Sequence, residues 1–409
     1  MKTKLLDKEI INSAEIILNK YNLCDHCFGR IFAKVDTGKT NPQRAEIIKK
    51  KLKNNKNIKP SECYLCEGLF SEINFFVELI TNYINEYEFD SFLLGCRVDD
   101  EIIIKEKEIL SQIDIDFSES IKTEINRETG KIMEDQLKKE VDFKNPTIMI
   151  ILDTQFNSID LQIKSLYIYG RYNKYSREIP QTRWYCKICN GIGCRKCEFK
   201  GQLYETSVEE LISDEFLKLT KGSDESLHGC GREDIDVRML GNGRPFVLEI
   251  KNPKVRNINL QKIKESINRK NKRIIQVNNL RESDKEEIIR LKKADFNKLY
   301  KVKFNCKTII NNEKLKKAVQ TLQGSKISQL TPSRVAHRRA NMVREKHIYN
   351  CKIDSLDGSI ATLTLETESG TYIKELVSGD DNRTKPNISK ILGAPCQVIK
   401  LDVLEIKGE

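Results

Sequence analysis

Nowhere in this chain is there an apolar run long enough to cross a bilayer, which takes about 20 residues. The start, Met1 to Ile10, alternates charge with Leu and Ile instead of forming a secretory segment. These two absences exclude an α-helical membrane protein and an exported one, so a cytoplasmic location with no membrane partner is expected. The chain also lacks internal repeats and a low-complexity tail. It has no P-loop and no dinucleotide fingerprint, since Gly191-x-Gly193 and Gly241-x-Gly243 are too short to serve. Histidine occurs only 4 times and no catalytic metal cluster stands out. Enzymes driven by a nucleotide, a nicotinamide or a hydrolytic metal therefore find no support, and no organic cofactor or small-molecule cosubstrate is expected.

At 409 residues the chain exceeds what one core organises, at roughly 150 residues per domain. Hydrophobic residues at 39% and charged residues at 32% describe a globular protein with a heavily charged surface. Lysine and arginine number 71 against 60 acids, a formal charge of +11. That balance favours a polyanionic partner, although a lysine-, isoleucine- and asparagine-rich composition also follows from an AT-rich genome. A monomer is expected.

The 13 cysteines fall largely into C-x-x-C pairs. Without an export signal, this pattern argues for metal ligation in a reducing compartment and against a disulfide framework. Cys24, Cys27, Cys63 and Cys66 form two pairs about 35 residues apart, a spacing suited to one tetrahedral thiolate site. Cys186, Cys189, Cys194 and Cys197 are tighter, and Gly191 and Gly193 let the chain fold back around an ion. Four thiolates leave no open position, so both sites are expected to hold structural Zn2+. Buried free cysteines are the plainer alternative. Trp184, Arg171, Lys174, Arg177 and Arg183 lie just upstream of the second cluster, mixing an aromatic with phosphate-seeking groups as RNA contacts do. A solvated basic loop would look the same.

Periodicity gives an α/β (α+β), multidomain chain. Residues 8–21, 45–53 and 73–87 read as helices, 89–98 as a strand, 101–140 as mainly helical, and 147–163 as a hairpin turning near Asn157-Ser158. Further strands are expected at 246–250, 300–306, 347–353, 359–366 and 397–406, with Asp357-Gly358 as a hairpin turn. The resulting division is a zinc-binding region at 1–72, an α/β domain at 73–170, a loop-rich zinc-knuckle linker at 171–205, and a larger mixed-sheet domain at 206–409.

The least ordinary stretch runs from Gly231 through Arg232, Glu233, Asp234, Asp236, Arg238 and Arg244 to Phe246, where three acids and three arginines alternate in a glycine-bounded loop. Carboxylates held beside guanidinium groups stay ionised and positioned, as a nucleophile or base requires. A surface ion-pair loop is the competing account.

This block resembles the archaeal and eukaryotic tRNA pseudouridine synthase family that modifies uridines 54 and 55 of the TΨC arm. So do the N-terminal cysteine pairs with their neighbouring THUMP-like domain, and the segments Gly170–Arg177, Ser207–Ile212, Arg334–Ala340 and Gly370–Val377. The resemblance implies tRNA as partner, an N-terminal zinc and THUMP-like RNA-binding part, and a C-terminal pseudouridine synthase domain. The activity it implies is uridine isomerisation by one ionised aspartate, acting either as covalent nucleophile or as base toward a ribose proton. Asp236, followed five residues on by Gly241, is the preferred aspartate, and Asp234 in Arg-x-Asp is the alternate. The resemblance further makes Tyr372 the aromatic stacked on the target base and Lys374 its basic companion. It adds Tyr300, Ile373 and Leu401 to the pocket, and makes Arg334, His337, Arg338 and Arg339 a loop gripping the tRNA. Two alternatives stay open: a non-catalytic zinc-containing tRNA-binding protein, and a different THUMP-type tRNA-modifying enzyme.

Overall fold

The computed structural model describes residues 4–113, 117–336 and 340–408, and the chain divides into two compact units, Met1–Lys164 and Ser165–Glu409. No helix among the described residues is long and apolar enough to cross a membrane.

The first unit begins with helices at Lys8–Lys20, Asp25–Gly29, Asn41–Lys51 and Ile73–Ile84. The third is set by Thr40, whose hydroxyl accepts from the Gln43 amide while Gln43 answers on the Thr40 amide, a reciprocal cap with proline in the first turn. A four-stranded sheet follows, from β1 (Ser91–Arg97), β2 (Glu140–Val141), β3 (Ile148–Asp153) and β4 (Ser158–Ile163), in the order β2-β1-β3-β4. β1 runs parallel to β2 and β3, so the chain must cross over between them. Helices Asp100–Leu110 and Ile121–Leu137 make that crossover. Ile148, Ile150 and Leu152 of β3 point into the core at every second position, the period expected of a strand with one covered face. The expected helices and hairpin of this half are all present.

The second unit is built on a ten-stranded sheet. Its strands are β5 (Leu166–Lys174), β6 (Asp224–Gly229), β7 (Val237–Lys251), β8 (Ile275–Ser283), β9 (Lys298–Cys306), β10 (Lys326–Leu330), β11 (Val343–Asp357), β12 (Ile360–Thr367), β13 (Thr384–Lys385) and β14 (Cys396–Ile406). The order is β13-β10-β11-β12-β9-β14-β7-β5-β8, with β6 added on β7. Helices Val208–Thr220, Leu260–Lys270 and Asn312–Leu322 each bury one stripe in this unit's apolar core, for example Val208, Ile212 and Phe216 at i, i+4 and i+8.

Three readings of the sequence change here. The expected boundary at 170/171 falls inside β5, which is hydrogen-bonded to β7 on one side and β8 on the other, so the chain divides before that strand. Second, β7 starts at Val237, not at Phe246. Gly241-Asn242-Gly243, placed by the sequence in a glycine-bounded loop ahead of the strand, is a bulge within it, where the β5 register jumps from Tyr172↔Arg244 to Lys174↔Met239. Both glycines have positive φ, +56° and +76°. A Cβ on Gly241 would collide with the Leu404 carbonyl oxygen, and one on Gly243 would lie 2.7 Å from that of Tyr172. Third, Cys306 and Cys396, paired across β9 and β14, form a disulfide, which the emphasis on thiolates did not foresee.

Candidate active site

β7, β9 and β14 lie side by side, and their ends carry the floor of a cleft. Val237 of β7 pairs with Leu401 of β14, and Tyr300 of β9 pairs with Val403 of β14. Tyr300, Leu401, Val237 and Val403 line the cleft from these strands, and Thr371, Tyr372, Ile373 and Lys374 line it from the segment at the start of the helix Ile373–Ser378. Tyr372 is fixed through its backbone. The fully buried Gln329 accepts from its amide and donates to its carbonyl, both at 2.9 Å. Tyr372, the residue that opens the short helix Ile373–Ser378, thus stays half-buried at the cleft wall while Ile373 behind it is buried.

The acidic loop meets this wall. Lys374 Nζ lies 2.7 and 2.8 Å from the two carboxylate oxygens of Asp236 and 3.3 Å from Asp234 Oδ2. Arg334 Nη1 contacts both oxygens of Asp234, at 3.0 and 2.9 Å, and its Nε donates to Glu375 at 2.6 Å. Burial pushes the Asp234 carboxyl up, but Arg334 and Lys374 outweigh it and hold the group below the usual carboxylate range. The two aspartates therefore converge on one ammonium, as their spacing of two allows. Only one of them reaches both parts of the site. Asp234 lines the cleft with Tyr300 and Tyr372, whereas Asp236, whose side chain is 60% exposed, lines an adjoining cleft that shares Asp234, Arg334 and Lys374.

Beneath the loop is a buried polar cluster. Glu233 accepts from Arg244 Nε at 2.7 Å and from the Tyr172 hydroxyl at 2.8 Å, and Arg244 also donates to the Cys230 carbonyl at 2.6 Å. Gln181 donates to the same hydroxyl at 2.7 Å. Tyr300 stands close enough to feel this cluster. Burial pushes its phenol up to about 12, with Arg244 pulling the other way.

Sequence reasoning misplaced the basic approach to the second cysteine cluster. Arg171 donates to the carbonyls of Asn242 and Gly243, which ties the bulge of β7 down. Lys174, wholly buried, donates to the carbonyls of Ile179, Asp234 and Ile235 at 3.0, 3.2 and 2.8 Å. Burial lowers its pKa to about 8, opposed by Glu233, Asp236 and Asp234. Arg177 donates to the carbonyls of Asp236 and Leu401 at 2.7 and 2.9 Å and pairs with Asp402. Arg183 pairs with Glu210 and Glu225. These cations hold backbone and carboxylates in place, so their charge is already spent inside the protein. Lys298, buried in the same cleft and lowered to about 8 first by burial and then by Arg244, carried no sequence signal. Of the basic run after Pro332, Arg334 sits among the acids of the cleft. His337, Arg338 and Arg339 lie outside the described residues.

Both expected cysteine groups come together. Within each, the four Sγ atoms lie within 4.8 Å of one another, and either group could hold a metal ion. A tetrahedral ion with metal–sulfur bonds near 2.3 Å demands edges of about 3.8 Å. Sγ–Sγ distances are 3.8 Å for Cys24–Cys66, 3.9 Å for Cys186–Cys194, and 3.8 Å for Cys189–Cys197 and Cys194–Cys197. Backbone amides also point at sulfur, from Cys24 to Cys63 and from Gly193, Cys194 and Gly201 to Cys189 and Cys197, the arrangement that favours thiolate over thiol.

A family model described as the Pus10 C-terminal region matches residues 167–407, and one described as the archaeal Pus10 THUMP domain matches 76–153. The curated protein "tRNA pseudouridine synthase Pus10" of Methanocaldococcus jannaschii is 40% identical over 441 residues, spanning 97% of this chain and 94% of its own. Its namesake in Pyrococcus furiosus is 37% identical, spanning 97% and 98%. Among solved structures, one titled "Crystal Structure of a Cbf5-Nop10-Gar1 Complex" shares 13% identity over 58% of this chain and 48% of that chain, with a TM-score of 0.33. With a family model covering more than half its length and relatives this similar from end to end, the chain belongs to the Pus10 family of tRNA pseudouridine synthases.

Proposed function

We propose that the chain isomerises uridines 54 and 55 of the TΨC arm of tRNA to pseudouridine, with Asp236 as the catalytic carboxylate. The observation that carries this is the exposed Asp236 carboxylate, held by Lys374 beside the cleft of Tyr300, Tyr372 and Leu401. Asp234 has both oxygens against Arg334 and is the better anchor; Asp236 has one cationic partner and an open side. In the reaction the C1′–N1 bond breaks, the base turns, and a C1′–C5 bond forms. A proton leaves C5 and one arrives at N1, so the exchange is redox-neutral. Asp236, ionised beside Lys374, meets the sugar either at C1′ as nucleophile or at a ribose hydrogen as base. Tyr372 stacks on the displaced base, and Tyr300, Ile373 and Leu401 close around it, excluding water while it turns. Lys374 keeps Asp236 aimed, and Arg334 serves mainly to hold Asp234.

Both four-cysteine groups are assigned structural zinc, which supplies a cross-link between loop segments and takes no part in the chemistry. The first unit, with its THUMP match, is assigned to tRNA binding, together with the basic residues His337, Arg338 and Arg339.

The test is conversion of uridine in an unmodified tRNA transcript, without added cofactor, by wild type, Asp236→Asn and Asp234→Asn. Pseudouridine at both positions is expected from wild type. Asp236→Asn should fall by roughly 10²–10⁴-fold at least, and Asp234→Asn by less. Loss confined to Asp234→Asn would transfer the catalytic role to Asp234, and no product from wild type would sink the proposal.

A further inference from the structure

The adjoining cleft that contains Asp236 has a wall the reaction does not use. It is Trp184, half-buried, together with the exposed Arg232. The Arg232 guanidinium carbon lies 5.5 Å from the indole centroid. The indole is braced edge-on by Tyr204, with centroids 5.6 Å apart and an interplanar angle of 82°.

Both residues are held there by well-anchored backbone. Trp184 stands at the open end of a short ribbon in which Leu203 donates to the Trp184 carbonyl at 2.9 Å, Tyr185 bridges Gln202, and Cys186 donates to the Gly201 carbonyl at 2.8 Å. The second four-cysteine group closes the far end of this ribbon. The near end is fastened where the Arg183 amide donates to Glu209 at 3.0 Å and its side chain pairs with Glu210 and Glu225. Arg232 comes from the catalytic loop, next to Gly231 at φ +78° and the buried Glu233. Glu233 is pulled inward by Arg244, and Arg232 is turned out over the indole.

We propose that this indole–guanidinium ledge takes an unpaired nucleobase of the RNA, one that flanks the target uridine, by stacking; the inference rests on the isomerase reading above. An indole and a guanidinium are both flat and polarisable, and bases stack on either whatever their identity. The positive charge on Arg232 also suits the neighbouring phosphate. A base drawn out beside the target would meet this ledge in the same cleft as Asp236, which fixes the register of the strand over the carboxylate. The second four-cysteine group then acts on the reaction as a brace, by placing Trp184.

The chain has a single tryptophan, so its emission reads this site without labelling. The probe is a TΨC stem-loop RNA added to the full-length, zinc-loaded protein, with binding followed separately by RNA anisotropy. Saturating RNA is expected to change Trp184 emission, and an abasic site at one position flanking the target uridine should abolish the change while binding persists. Trp184→Ala should lower kcat/KM by about 5- to 150-fold, and Trp184→Phe should recover most of it. Arg232→Lys, which keeps the charge but loses the plane, should lose nearly as much as Arg232→Ala. Three results would overturn the ledge: emission unmoved by saturating RNA, wild-type kcat/KM in Trp184→Ala, or Arg232→Lys behaving as wild type, which would mark a phosphate contact. Product without an emission response removes the ledge alone. An emission response lost with the abasic base, but with no product, keeps the ledge and removes the isomerase reading.

Discussion

Replacing Arg244 with methionine probes the cluster on which the acidic loop rests. The side chains of Arg244 and Glu233 are 2% and 1% exposed and meet at 2.7 Å. Removing the cation leaves a buried carboxylate to which the Tyr172 hydroxyl still donates at 2.8 Å, and takes the Arg244 donor away from the Cys230 carbonyl. Breaking a buried pair from one side costs about 3–5 kcal/mol, because the surviving charge keeps its desolvation penalty. For a unit of this size each kcal/mol is worth roughly 2–4 °C, so melting of the second unit should drop by about 6–20 °C. Trp184 lies in that unit and is the chain's single tryptophan, so its emission during urea or thermal unfolding follows this unit. The companion is Glu233→Gln combined with Arg244→Met. With no charge left uncompensated, the double variant should be more stable than Arg244→Met alone, with a coupling of about 0.5–3 kcal/mol. A loss under about 1 kcal/mol in Arg244→Met, or a double variant destabilised by the full sum of the singles, would refute this account of the cluster.

Two further outcomes follow from the same geometry. Arg177 holds the backbone carbonyls of Asp236 and Leu401 without reaching into the cleft, so Arg177→Met should lower kcat by about 10²-fold through misplacement while leaving KM for tRNA unchanged; an equal rise in KM with constant kcat would contradict that. Elemental analysis should find two zinc equivalents per chain, with one lost in Cys27→Ser and the other in Cys189→Ser, and only the second should shift Trp184 emission; a full complement in either variant would count against that site.

What could be read from the sequence divides along physical lines. Local spacing carries the C-x-x-C pairs, the Asp357-Gly358 hairpin and the strands β9, β11, β12 and β14, because each is decided by residues near one another in the chain. The convergence of Asp234 and Asp236 on one side was legible from their separation of two. Their shared partner was not, since Lys374 is 138 residues from Asp236 and Gln329, which fixes Tyr372, is 43 from it. Arg171, Lys174 and Arg177 were misread for a different reason. A cation in a sequence looks like surface, and nothing local shows that three carbonyls will take a lysine's charge inside. Gly241-Asn242-Gly243 reads as part of a loop because closely spaced glycines usually mark one. Here the same freedom lets β7 bulge against the Leu404 and Tyr172 carbonyls, a contact that exists only once β5 and β14 are in place.

The cleft also shows how an ionised carboxylate can work against a polyanion. Glu233, Asp234, Asp236 and Glu375 gather at the mouth of β7, and four carboxylates facing RNA would repel it. Each is met by a cation from another part of the second unit: Glu233 by Arg244, Asp234 and Glu375 by Arg334, and Asp236 by Lys374, while Lys174 adds a charge beneath the loop. Four acids are thus matched by four bases within the site. Arg232 and Lys298, which also line the clefts, tip the balance toward positive. The pairing is graded: Glu233 is sealed, Asp234 is partly covered by two cations, and Asp236 has one partner and an open face. On the proposed reading, the carboxylate that meets the ribose needs an open face, and of these four acids Asp236 offers the most open one.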